Sequence, residues 1–396
     1  MRRIDCDIVV VGAGPAGCLA ARTAAKRGVN VILLEEHPVI GSPVSCAEGL
    51  SLDGIKDAGI DPVAPYVCQK IECAHIITPN KKRIELSSKE WVGYNLDRSQ
   101  FDKALGDNAI KAGAELMTNT SAQGVIRERE RVVGVKATQK GEPFEVRANV
   151  TIGADGYQSI IRRSNGMERF FSDFCICAQY TLSRLNLDIH DVNEFHLGGN
   201  VAPGGYAWVF PKNDKVANVG IGVRKIHERP AVDYLDKFIK EDSRFKNSKS
   251  IHRCGGITPA GGVFDKITDN GLMLIGDAAG QVIPATGGGI HCGVESGKIA
   301  GNVAVDAIFG EDTSNKNLSK YRERFDVYWG NRINESRKIV EMLDKFGDNE
   351  LNMLAEVVTN DEIIALATGD GAGKAVARIL ARNPGKIVKL MLAYFT

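Results

Sequence analysis

The chain has 396 residues, and its 50 lysines and arginines against 49 aspartates and glutamates give a formal net charge of +1. This balance argues against a nucleic-acid-binding protein, which would carry a basic excess. A content of 43% apolar and 25% charged residues excludes a disordered chain. The longest nearly apolar run, residues 8–21, is shorter than the roughly 20 residues of a transmembrane helix. The nine cysteines form no CxxC pair, so the sequence predicts a cytoplasmic protein with reduced thiols and no metal site.

The first predicted elements are a strand, a glycine-rich turn, a helix and a second strand. Residues 7–11 are a continuous β-branched run, the sequence GAGPAG follows, residues 18–27 have a helical pattern, and residues 31–34 are again apolar. This order is the complete βαβ unit that binds the pyrophosphate of a dinucleotide at a helix N-terminus. It is a stronger signal than an isolated GxGxxG sequence.

Each residue of this glycine fingerprint has its own task. Gly12 permits the tight turn, Gly14 lets the backbone approach a pyrophosphate, and Gly17 lets the helix pack closely against the strand. Glu35 follows the second strand directly, where its carboxylate can accept a hydrogen bond from a ribose 2′-hydroxyl. The carboxylate argues against a cofactor with a 2′-phosphate, so this unit alone leaves NAD and FAD.

Three further segments come next in chain order. Residues 42–50 form a predicted loop around Cys46, and the sequence YNLDR leads into a helix that starts near Arg98. An arginine at a helix start can bind a pyrophosphate through two parallel hydrogen bonds, but an ion pair with Asp97 or Asp102 is equally consistent with the sequence. The third segment, residues 150–156, ends in GADG.

The middle of the chain predicts antiparallel strands at residues 175–182, 194–197, 206–210 and 216–223. In the run YAWVFP, three aromatic residues alternate and therefore face one side of their strand: Tyr206, Trp208 and Phe210. These rings could wall a long apolar channel or belong to the core of the sheet. Residues 175 and 177 are cysteines on one side of a strand, but the sequence offers no partners that would complete a metal site.

A second strand–glycine–aspartate element lies at residues 272–280, where LMLI precedes Gly276 and Asp277. Three successive glycines at 287–289 then lead to Ile290 and a helix. A carboxylate at this position can bind the hydroxyls of a ribityl chain, and the glycines let the backbone lie against a planar ring. Beside the first fingerprint, this element favours FAD.

The order of these elements resembles the p-hydroxybenzoate hydroxylase-like class of FAD-dependent oxidoreductases. The Cys46 loop and the YxWxFP run are similar to the geranylgeranyl reductase family, whose archaeal members, the digeranylgeranylglycerophospholipid reductases, have this length. The resemblance covers residues 1 to about 300. It implies an α/β fold, with a Rossmann-type FAD-binding domain and an inserted antiparallel-sheet substrate domain. After residue 318, apolar residues recur at helical spacing, which predicts a helical C-terminal region.

The resemblance also implies which residues contact FAD. Ala16 would lie at the pyrophosphate turn, and Arg98 and the backbone of Ala122 would flank the dinucleotide. Asp155 and Arg162 would occupy positions that aromatic hydroxylases of the class use for FAD and NADPH. The complete set of implied cofactor contacts is Gly12, Gly14, Ala16, Gly17, Glu35, Cys46, Ala47, Gly49, Arg98, Ala122, Asp277, Gly289 and Ile290.

For function, the resemblance implies saturation of isoprenoid double bonds in the geranylgeranyl chains of archaeal ether phospholipids. An isolated trisubstituted alkene has no carbonyl to accept charge, so hydride addition from a reduced flavin needs nearly simultaneous protonation. Cys46, Tyr206 and His291 are the candidate proton donors, and Tyr206, Trp208 and Phe210 are the candidate substrate contacts. The implied partners are a prenylated glycerophospholipid and an external electron donor that the sequence does not identify.

The FAD-binding domain is predicted to be discontinuous, covering residues 1–65, 95–165 and 255–310. A substrate domain would cover residues 66–94 and 166–254, and helices would follow from residue 311 to residue 396. Glycines at 369, 371 and 373 predict a turn between two of these helices.

The C-terminal region carries two more open questions. Arg332, Arg337 and Lys338 could bind a phosphate headgroup or be solvated helix charges. The apolar stretch 387–395 predicts either a core helix or a segment lying on the membrane surface, so peripheral contact with the cytoplasmic membrane stays open.

Two other functions stay open from the sequence. The same scaffold supports aromatic monooxygenases and flavin-dependent halogenases, and YAWVFP partly matches the WxWxIP run of tryptophan-type halogenases. A non-catalytic prenyl-lipid carrier could also retain this fold. A monooxygenase would consume NADPH rapidly with a phenol, whereas a carrier would hold lipid and release it unchanged.

Overall fold

The structure, a computed structural model, describes residues 2–87, 92–168, 171–224 and 229–383. Its strands are β1 (Arg2–Val11), β2 (Val31–Leu34), β3 (Gly49–Ser51), β4 (Val67–Ile71), β5 (Cys73–Ile77), β6 (Arg83–Leu86), β7 (Gly93–Leu96), β8 (Glu115–Met117), β9 (Thr120–Glu128), β10 (Arg131–Gln139), β11 (Glu142–Gly153), β12 (Phe174–Ser183), β13 (Val192–His196), β14 (Tyr206–Pro211), β15 (Ala217–Arg224), β16 (Lys249–Pro259), β17 (Thr268–Asp269) and β18 (Leu272–Leu274). Its helices are α1 (Pro15–Ala25), α2 (Leu52–Ala58), α3 (Arg98–Lys111), α4 (Ile160–Ser164), α5 (Ala231–Glu241), α6 (Ile290–Phe309), α7 (Asn315–Leu318), α8 (Lys320–Phe325), α9 (Asn331–Leu343), α10 (Asp348–Ala355), α11 (Asn360–Thr368) and α12 (Ala372–Arg382). Short 3₁₀ turns lie at Ser243–Phe245 and Gly276–Ala279, and a π-helical turn lies at Asp326–Gly330.

The first sheet has a parallel core in the order β18-β11-β1-β2-β8. β2 covers the predicted residues 31–34, while β1 begins at Arg2, five residues before the predicted strand. The added length pairs with the first half of β11, which also carries the antiparallel hairpin of β9 and β10. The carboxyl ends of parallel strands share one sheet edge, so the segments that follow β1, β2, β11 and β18 converge there.

The second sheet has the order β16-β12-β15-β14-β13-β5-β6 and is antiparallel except where β13 pairs with β5. The four strands predicted for the middle of the chain are confirmed as β12 to β15. On β14, Ala207 and Val209 belong to an apolar cluster with Leu235 and Phe238 of α5. The alternate residues of β14 therefore face away from α5. A small third sheet has the order β3-β7-β4.

A seam of small residues joins α1 and α6. A Cβ atom added at Gly297 would overlap the carbonyl oxygen of Ala16, and one added at Gly301 would lie 2.7 Å from the carbonyl oxygen of Ala20. Gly293 faces Ala16 one turn earlier, at 3.4 Å for an added Cβ. Since no side chain separates the backbones, the N-termini of α1 and α6 lie side by side.

The region after α6 is helical as predicted, through α7 to α12. Gly369 ends α11 with a φ of +75°, and Gly371 precedes α12 with a φ of +69°. The prediction that Gly373 also belongs to this turn is wrong, because it lies inside α12. The apolar stretch 387–395 lies outside the described residues. Within the described ranges, every helix is too short or too polar to cross a membrane.

The predicted fold class is confirmed, with a Rossmann-type α/β unit, an antiparallel sheet and a helical C-terminal region. The residue boundaries assigned to the domains stay a prediction.

Candidate functional site

One cavity of about 2020 Å³ extends from the glycine fingerprint to the C-terminal helices. Most of the implied cofactor contacts line it, as do all candidate proton donors and substrate contacts. Gly12, Gly17, Glu35 and Ala122 are not among the lining residues. The predicted residues that line the cavity are Gly14, Ala16, Cys46, Ala47, Gly49, Arg98, Tyr206, Trp208, Phe210, Asp277, Gly289, Ile290 and His291.

The three glycines of the fingerprint have the separate structural roles that the sequence predicts. Gly12 has a φ of +99°, and a Cβ atom there would lie 2.5 Å from the Ala154 carbonyl oxygen. A Cβ at Gly17 would overlap the carbonyl oxygen of Gly12, whereas a Cβ at Gly14 would meet nothing within 4 Å. Gly12 and Gly17 therefore keep the turn closed, and Gly14 leaves open space where α1 begins with Pro15. A phosphate in that space would meet the free N–H groups of α1.

The Glu35 carboxylate is fixed at the carboxyl end of β2. Its Oε2 accepts a hydrogen bond from the Ala13 N–H at 2.9 Å, and its Oε1 accepts one from the His37 N–H at 3.0 Å. The Thr120 N–H donates to the Glu35 carbonyl oxygen at 2.8 Å, and Ala122 follows two residues later on β9. Glu35 and Ala122 are therefore neighbours beyond the fingerprint, where the adenosine half of a dinucleotide would lie.

Asp277 provides the clearest test of whether these residues fit FAD. Its carboxylate faces the cavity, and no group among the described residues donates a hydrogen bond to it. Burial raises the pKa of Asp277 to about 6, although the positive charge of Arg98 acts in the opposite direction. A Cβ at Gly289 would lie 3.1 Å from the Asp277 Oδ1. The carboxylate thus has free acceptor positions for the hydroxyls of a ribityl chain, and the adjacent glycine leaves room for it.

The Cys46 loop is held by hydrogen bonds to the second sheet. Gln179 Nε2 donates to the Cys46 carbonyl oxygen at 2.8 Å, and Asn218 Nδ2 donates to the Ala47 carbonyl oxygen at 3.2 Å. The thiol sulfur of Cys46 accepts from the Glu48 N–H at 3.2 Å. These bonds keep the loop between the fingerprint and β14.

Arg98 makes the ion pair that the sequence left as an alternative. Its guanidinium donates two parallel hydrogen bonds to Asp102, at 2.8 and 2.7 Å. Burial alone would lower the pKa of Arg98, but Asp102 and the neighbouring sulfur of Cys46 raise it above its usual value. Arg98 still lines the cavity, so its remaining N–H groups and its charge are available to a pyrophosphate.

The three rings of the YAWVFP run face the cavity together. Tyr206 and Trp208 meet edge to face at 6.0 Å between ring centroids, and Phe195 of β13 contacts both Tyr206 and Phe210 at 5.4 Å. Trp208 Nε1 donates to Gln179 Oε1 at 2.9 Å, so one glutamine connects this wall to the Cys46 loop. The Tyr206 hydroxyl donates to the Thr286 carbonyl oxygen at 2.5 Å, which ties the wall to the triple-glycine turn.

His291 lies at the start of α6 and is engaged by other side chains. Its Nε2 is 2.8 Å from Asp57 Oδ2, and its Nδ1 is 3.5 Å from Ser51 Oγ. Its ring meets Trp329 edge to face at 4.9 Å between centroids.

Asp155 and Arg162 have roles inside the fold. The Asp155 carboxylate accepts from Ser159 Oγ at 2.6 Å and from the Ile161 N–H at 3.0 Å, at the start of α4. Arg162 is 1% exposed and donates to three backbone carbonyl groups, and its guanidinium lies against the stacked rings of two phenylalanines (residues 171 and 264). The nucleotide contact implied for the Arg162 side chain is therefore wrong, because its donors are satisfied inside the protein.

Sequence reasoning missed the polar residues that hold the site together. Gln179, Glu48, Lys212 and Asn218 carry no motif, and their partners are up to 170 residues away. The α1–α6 seam did have a readable signal, since glycines recur every fourth residue at 293, 297 and 301.

Comparison with known families agrees with this geometry. Residues 7–164 match the FAD dependent oxidoreductase family, and residues 173–258 match the geranylgeranyl reductase catalytic domain. The chain is 36% identical to the digeranylgeranylglycerophospholipid reductase of Methanocella arvoryzae over 97% of this chain and 98% of that protein. It is 39% identical to the enzyme of the same name from Methanosarcina acetivorans, over 88% of each chain.

Solved structures give the same picture. A geranylgeranyl bacteriochlorophyll reductase-like protein from Thermoplasma acidophilum superimposes with a TM-score of 0.89 at 34% identity, over 99% of this chain and 100% of that chain. The flavin-dependent brominase Bmp2 superimposes with a TM-score of 0.76 at 19% identity over 97% of this chain and 100% of that chain, which shows a shared fold only. The full-length matches at 36–39% identity, the two family assignments and the FAD-compatible cavity together place this chain in the geranylgeranyl reductase family of FAD-dependent oxidoreductases.

Proposed function

We propose that this chain saturates the isoprenoid double bonds of the geranylgeranyl chains in archaeal ether phospholipids, as the names of its relatives indicate for those proteins. The observation that carries the proposal is the size and course of the cavity. Its volume of about 2020 Å³ exceeds the ~300–1,000 Å³ of ordinary small-ligand pockets. It passes from the fingerprint beneath the aromatic wall to apolar side chains of the C-terminal helices, including Leu343, Leu351 and Ile364. A dinucleotide and a long hydrocarbon chain can therefore share it.

Saturation of one double bond takes one hydride and one proton. When bound and reduced, FAD supplies the hydride chemistry. The chain must hold the alkene flat, exclude water and place one proton. Tyr206, Trp208 and Phe210 would hold the alkene flat and exclude water, since they form a continuous apolar wall beside the triple-glycine turn.

Among the three candidate proton donors, we place Cys46 first. The Tyr206 hydroxyl proton is engaged by Thr286, and burial raises the pKa of Tyr206 well above its usual value. His291 Nε2 is directed to Asp57. The Cys46 sulfur, by contrast, lies beside the Arg98 guanidinium and accepts from the Glu48 N–H. Both contacts fix the sulfur where Cys46 lines the cavity.

The lipid would enter beside the π-helical turn. Tyr328 lines the cavity and is 51% exposed, so an opening lies there, and Val327 next to it is 79% exposed. Residues 320–338 contain six basic and three acidic side chains, which suits an anionic membrane surface. We therefore include peripheral contact of a cytoplasmic protein with the cytoplasmic membrane in the proposal, together with an external electron donor.

The phosphate headgroup would lie near Arg332. Arg332 lines the cavity and stacks on the Tyr328 ring, with its guanidinium carbon 4.0 Å from the ring centroid. Arg332 is paired with Asp370, which also lines the cavity, so a headgroup phosphate would share or replace that partner. Arg337 and Lys338 form ion pairs within α9, with Glu341 at 3.7 Å and Glu335 at 3.0 Å, and are not among the residues that line the cavity.

A spectrum and a mass measurement test this function. The purified protein should show visible flavin bands, and after anaerobic chemical reduction it should add two hydrogens per double bond to an unsaturated archaeal ether phospholipid. An unchanged lipid together with hydroxylated phenol in a parallel aerobic vial would favour a monooxygenase. Lipid that binds but keeps its mass, with no hydroxylation, would favour a carrier.

A further inference from the structure

Glu48 is a buried carboxylate between the cofactor contacts Ala47 and Gly49. Its side chain is only 6% exposed. Lys212 Nζ and Asn218 Nδ2 each lie 2.6 Å from its Oε2, and the Arg98 N–H donates to its Oε1 at 2.9 Å. Buried carboxylates persist when their charge is paired and their oxygens accept hydrogen bonds, and both conditions are met here.

The backbone of Glu48 is unusual as well. Its φ of +74° lies in the left-handed region that a residue with a side chain rarely adopts. Such a conformation persists only where surrounding contacts determine it. In this conformation the Glu48 N–H reaches the Cys46 sulfur at 3.2 Å. The side-chain bonds therefore hold a backbone shape that Cys46 depends on.

The carboxylate also fixes the residue on the other side of Cys46. Arg98 is the first residue of α3, and its backbone N–H is one of the free groups at that helix start. Glu48 accepts from this N–H, while the Arg98 guanidinium lies beside the Cys46 sulfur. One side chain thus sets the position of both the thiol and the cation next to it.

The remaining two partners join this pair to the aromatic wall. Lys212 follows β14 directly, and Asn218 on β15 also donates to the Ala47 carbonyl oxygen. Burial alone would lower the pKa of Lys212, but the Glu48 carboxylate raises it above its usual value. Lys212 therefore stays charged, and the strand that carries the wall is tied to the loop that carries the thiol.

We propose that Glu48 is the positioning residue of this site, which sets the Cys46 thiol and the Arg98 guanidinium relative to each other and to the YAWVFP wall. The inference rests on the proposed role of Cys46 as proton donor. Glu48 acts through its neighbours and is not itself the proton donor, because its carboxylate already accepts hydrogen bonds from three groups.

Glu48→Gly is the most informative variant, because glycine adopts a φ of +74° without strain, so the loss is confined to the side chain. We expect this variant to keep bound FAD, because the glycine fingerprint and Asp277 are unchanged, while kcat for lipid saturation falls about 10²-fold and KM changes less than about twofold. Glu48→Gln keeps an acceptor for Arg98 but loses the charge that pairs with Lys212, so its kcat should lie between those of the wild type and Glu48→Gly.

The second readout does not need turnover. The rate of Cys46 alkylation by iodoacetamide at one fixed pH, followed by peptide mass spectrometry, should change at least about threefold in Glu48→Gly, because the sulfur loses its set position beside Arg98. Cys73 on β5 serves as the internal control and should react unchanged. If the wild type fails to saturate lipid, the proposed function fails while this measurement still tests the role of Glu48.

A matched control separates positioning from general stability. Glu194 is also a glutamate in an ion-pair network, with a side chain 19% exposed that is bonded to Arg244 at 2.7 and 2.8 Å and to His196 at 2.9 Å, and it is not among the residues that line the cavity. Glu194→Gln should keep kcat and the Cys46 alkylation rate.

The proposal is overturned if Glu48→Gly keeps both the wild-type kcat and the wild-type Cys46 alkylation rate, or if it loses FAD in proportion to kcat. Should Glu48→Gly not fold, Glu48→Gln decides: wild-type kcat and alkylation overturn the proposal, and shifts in both support it.

Discussion

The two ends of the cavity are built in different ways. At the cofactor end, short glycine-rich turns after β1 and β18 put backbone directly against the space that a ligand would fill. At the substrate end, side chains from distant segments meet, and bonds such as Trp208 to Gln179 and Tyr206 to Thr286 keep them together. The cofactor end depends on the absence of side chains at a few glycine positions. The substrate end depends on which side chains are present and on the hydrogen bonds between them. Substitutions at the two ends should therefore fail in different ways.

The largest effect is expected for Gly17→Ala at the cofactor end. The new Cβ would overlap the Gly12 carbonyl oxygen, and backbone cannot move aside as a side chain can. We expect a loss of about 3 kcal/mol or more in unfolding free energy and no bound flavin, measured by chemical denaturation and by the visible spectrum. Gly14→Ala is the matched control, since its Cβ meets nothing within 4 Å. It should fold normally and weaken FAD binding only; equal stability losses in the two variants would contradict this account of the turn.

Cys46 lies where the two ends of the cavity meet. Cys46→Ala should remove the proposed proton donor and leave FAD binding and the aromatic wall intact. We expect normal flavin absorption and a kcat about 10²-fold below the wild type, because a positioned acid contributes at least that much. Single-turnover reduction of the lipid under anaerobic conditions measures it. Cys6→Ala, a cysteine of β1 whose sulfur faces the Arg147 carbonyl oxygen, should leave the rate unchanged. A wild-type rate in Cys46→Ala would move the donor role to Tyr206 or His291.

Val327→Glu tests the outer rim of the substrate end. A carboxylate at this highly exposed position would oppose contact with anionic vesicles. We expect KM for lipid presented in such vesicles to rise about tenfold, while kinetics with detergent-dispersed lipid stay unchanged. Ile189→Glu is the control, because Ile189 is also exposed but lies in the loop between β12 and β13, outside the π-helical turn. Equal effects of the two substitutions would remove the case for a membrane contact at the π-helical turn.

The last prediction concerns Asp277 and the pH dependence of stability. Its folded-state pKa of about 6 lies above the ordinary value of 3.8, so the folded chain binds more protons than the unfolded chain between these values. The stability of the flavin-free protein should therefore fall as pH rises from about 4 to about 6, by at most about 3 kcal/mol. Asp277→Asn should remove this part of the pH dependence, which denaturation curves at several pH values can measure. A curve for Asp277→Asn that parallels the wild type would contradict the assigned shift.

The cofactor end could be predicted from sequence because its signals are local. Gly12, Gly14 and Gly17 lie within six residues, and their spacing alone indicates the turn, the open space and the close contact that the structure shows. Arg162 shows the limit of the same approach. Its position after GADG suggested a nucleotide contact, but it is buried against two phenylalanine rings and bonded to three carbonyl groups, one of them on the distant residue Ala278.

The substrate end could be predicted only in part. Alternation along YAWVFP predicted that three rings share one side, and the structure places them together. The bonds that give this wall its position could not be predicted, because Gln179, Asn218 and Glu48 find their partners across the whole chain. The roles of the individual cofactor and substrate contacts stay predictions.

The seam between α1 and α6 has a consequence for how the protein responds to heat. Because the two backbones are in contact there, van der Waals contact between main-chain atoms, and not the choice of side-chain rotamers, sets the distance between the two positively polarised helix starts. At the substrate end, in contrast, the cavity is lined by side chains of the aromatic wall and of the C-terminal helices, and side chains gain rotational freedom on warming. As temperature changes, the spacing of the helix starts at the cofactor end should stay constant, while the width of the hydrocarbon channel should vary with the conformations of the side chains that line it.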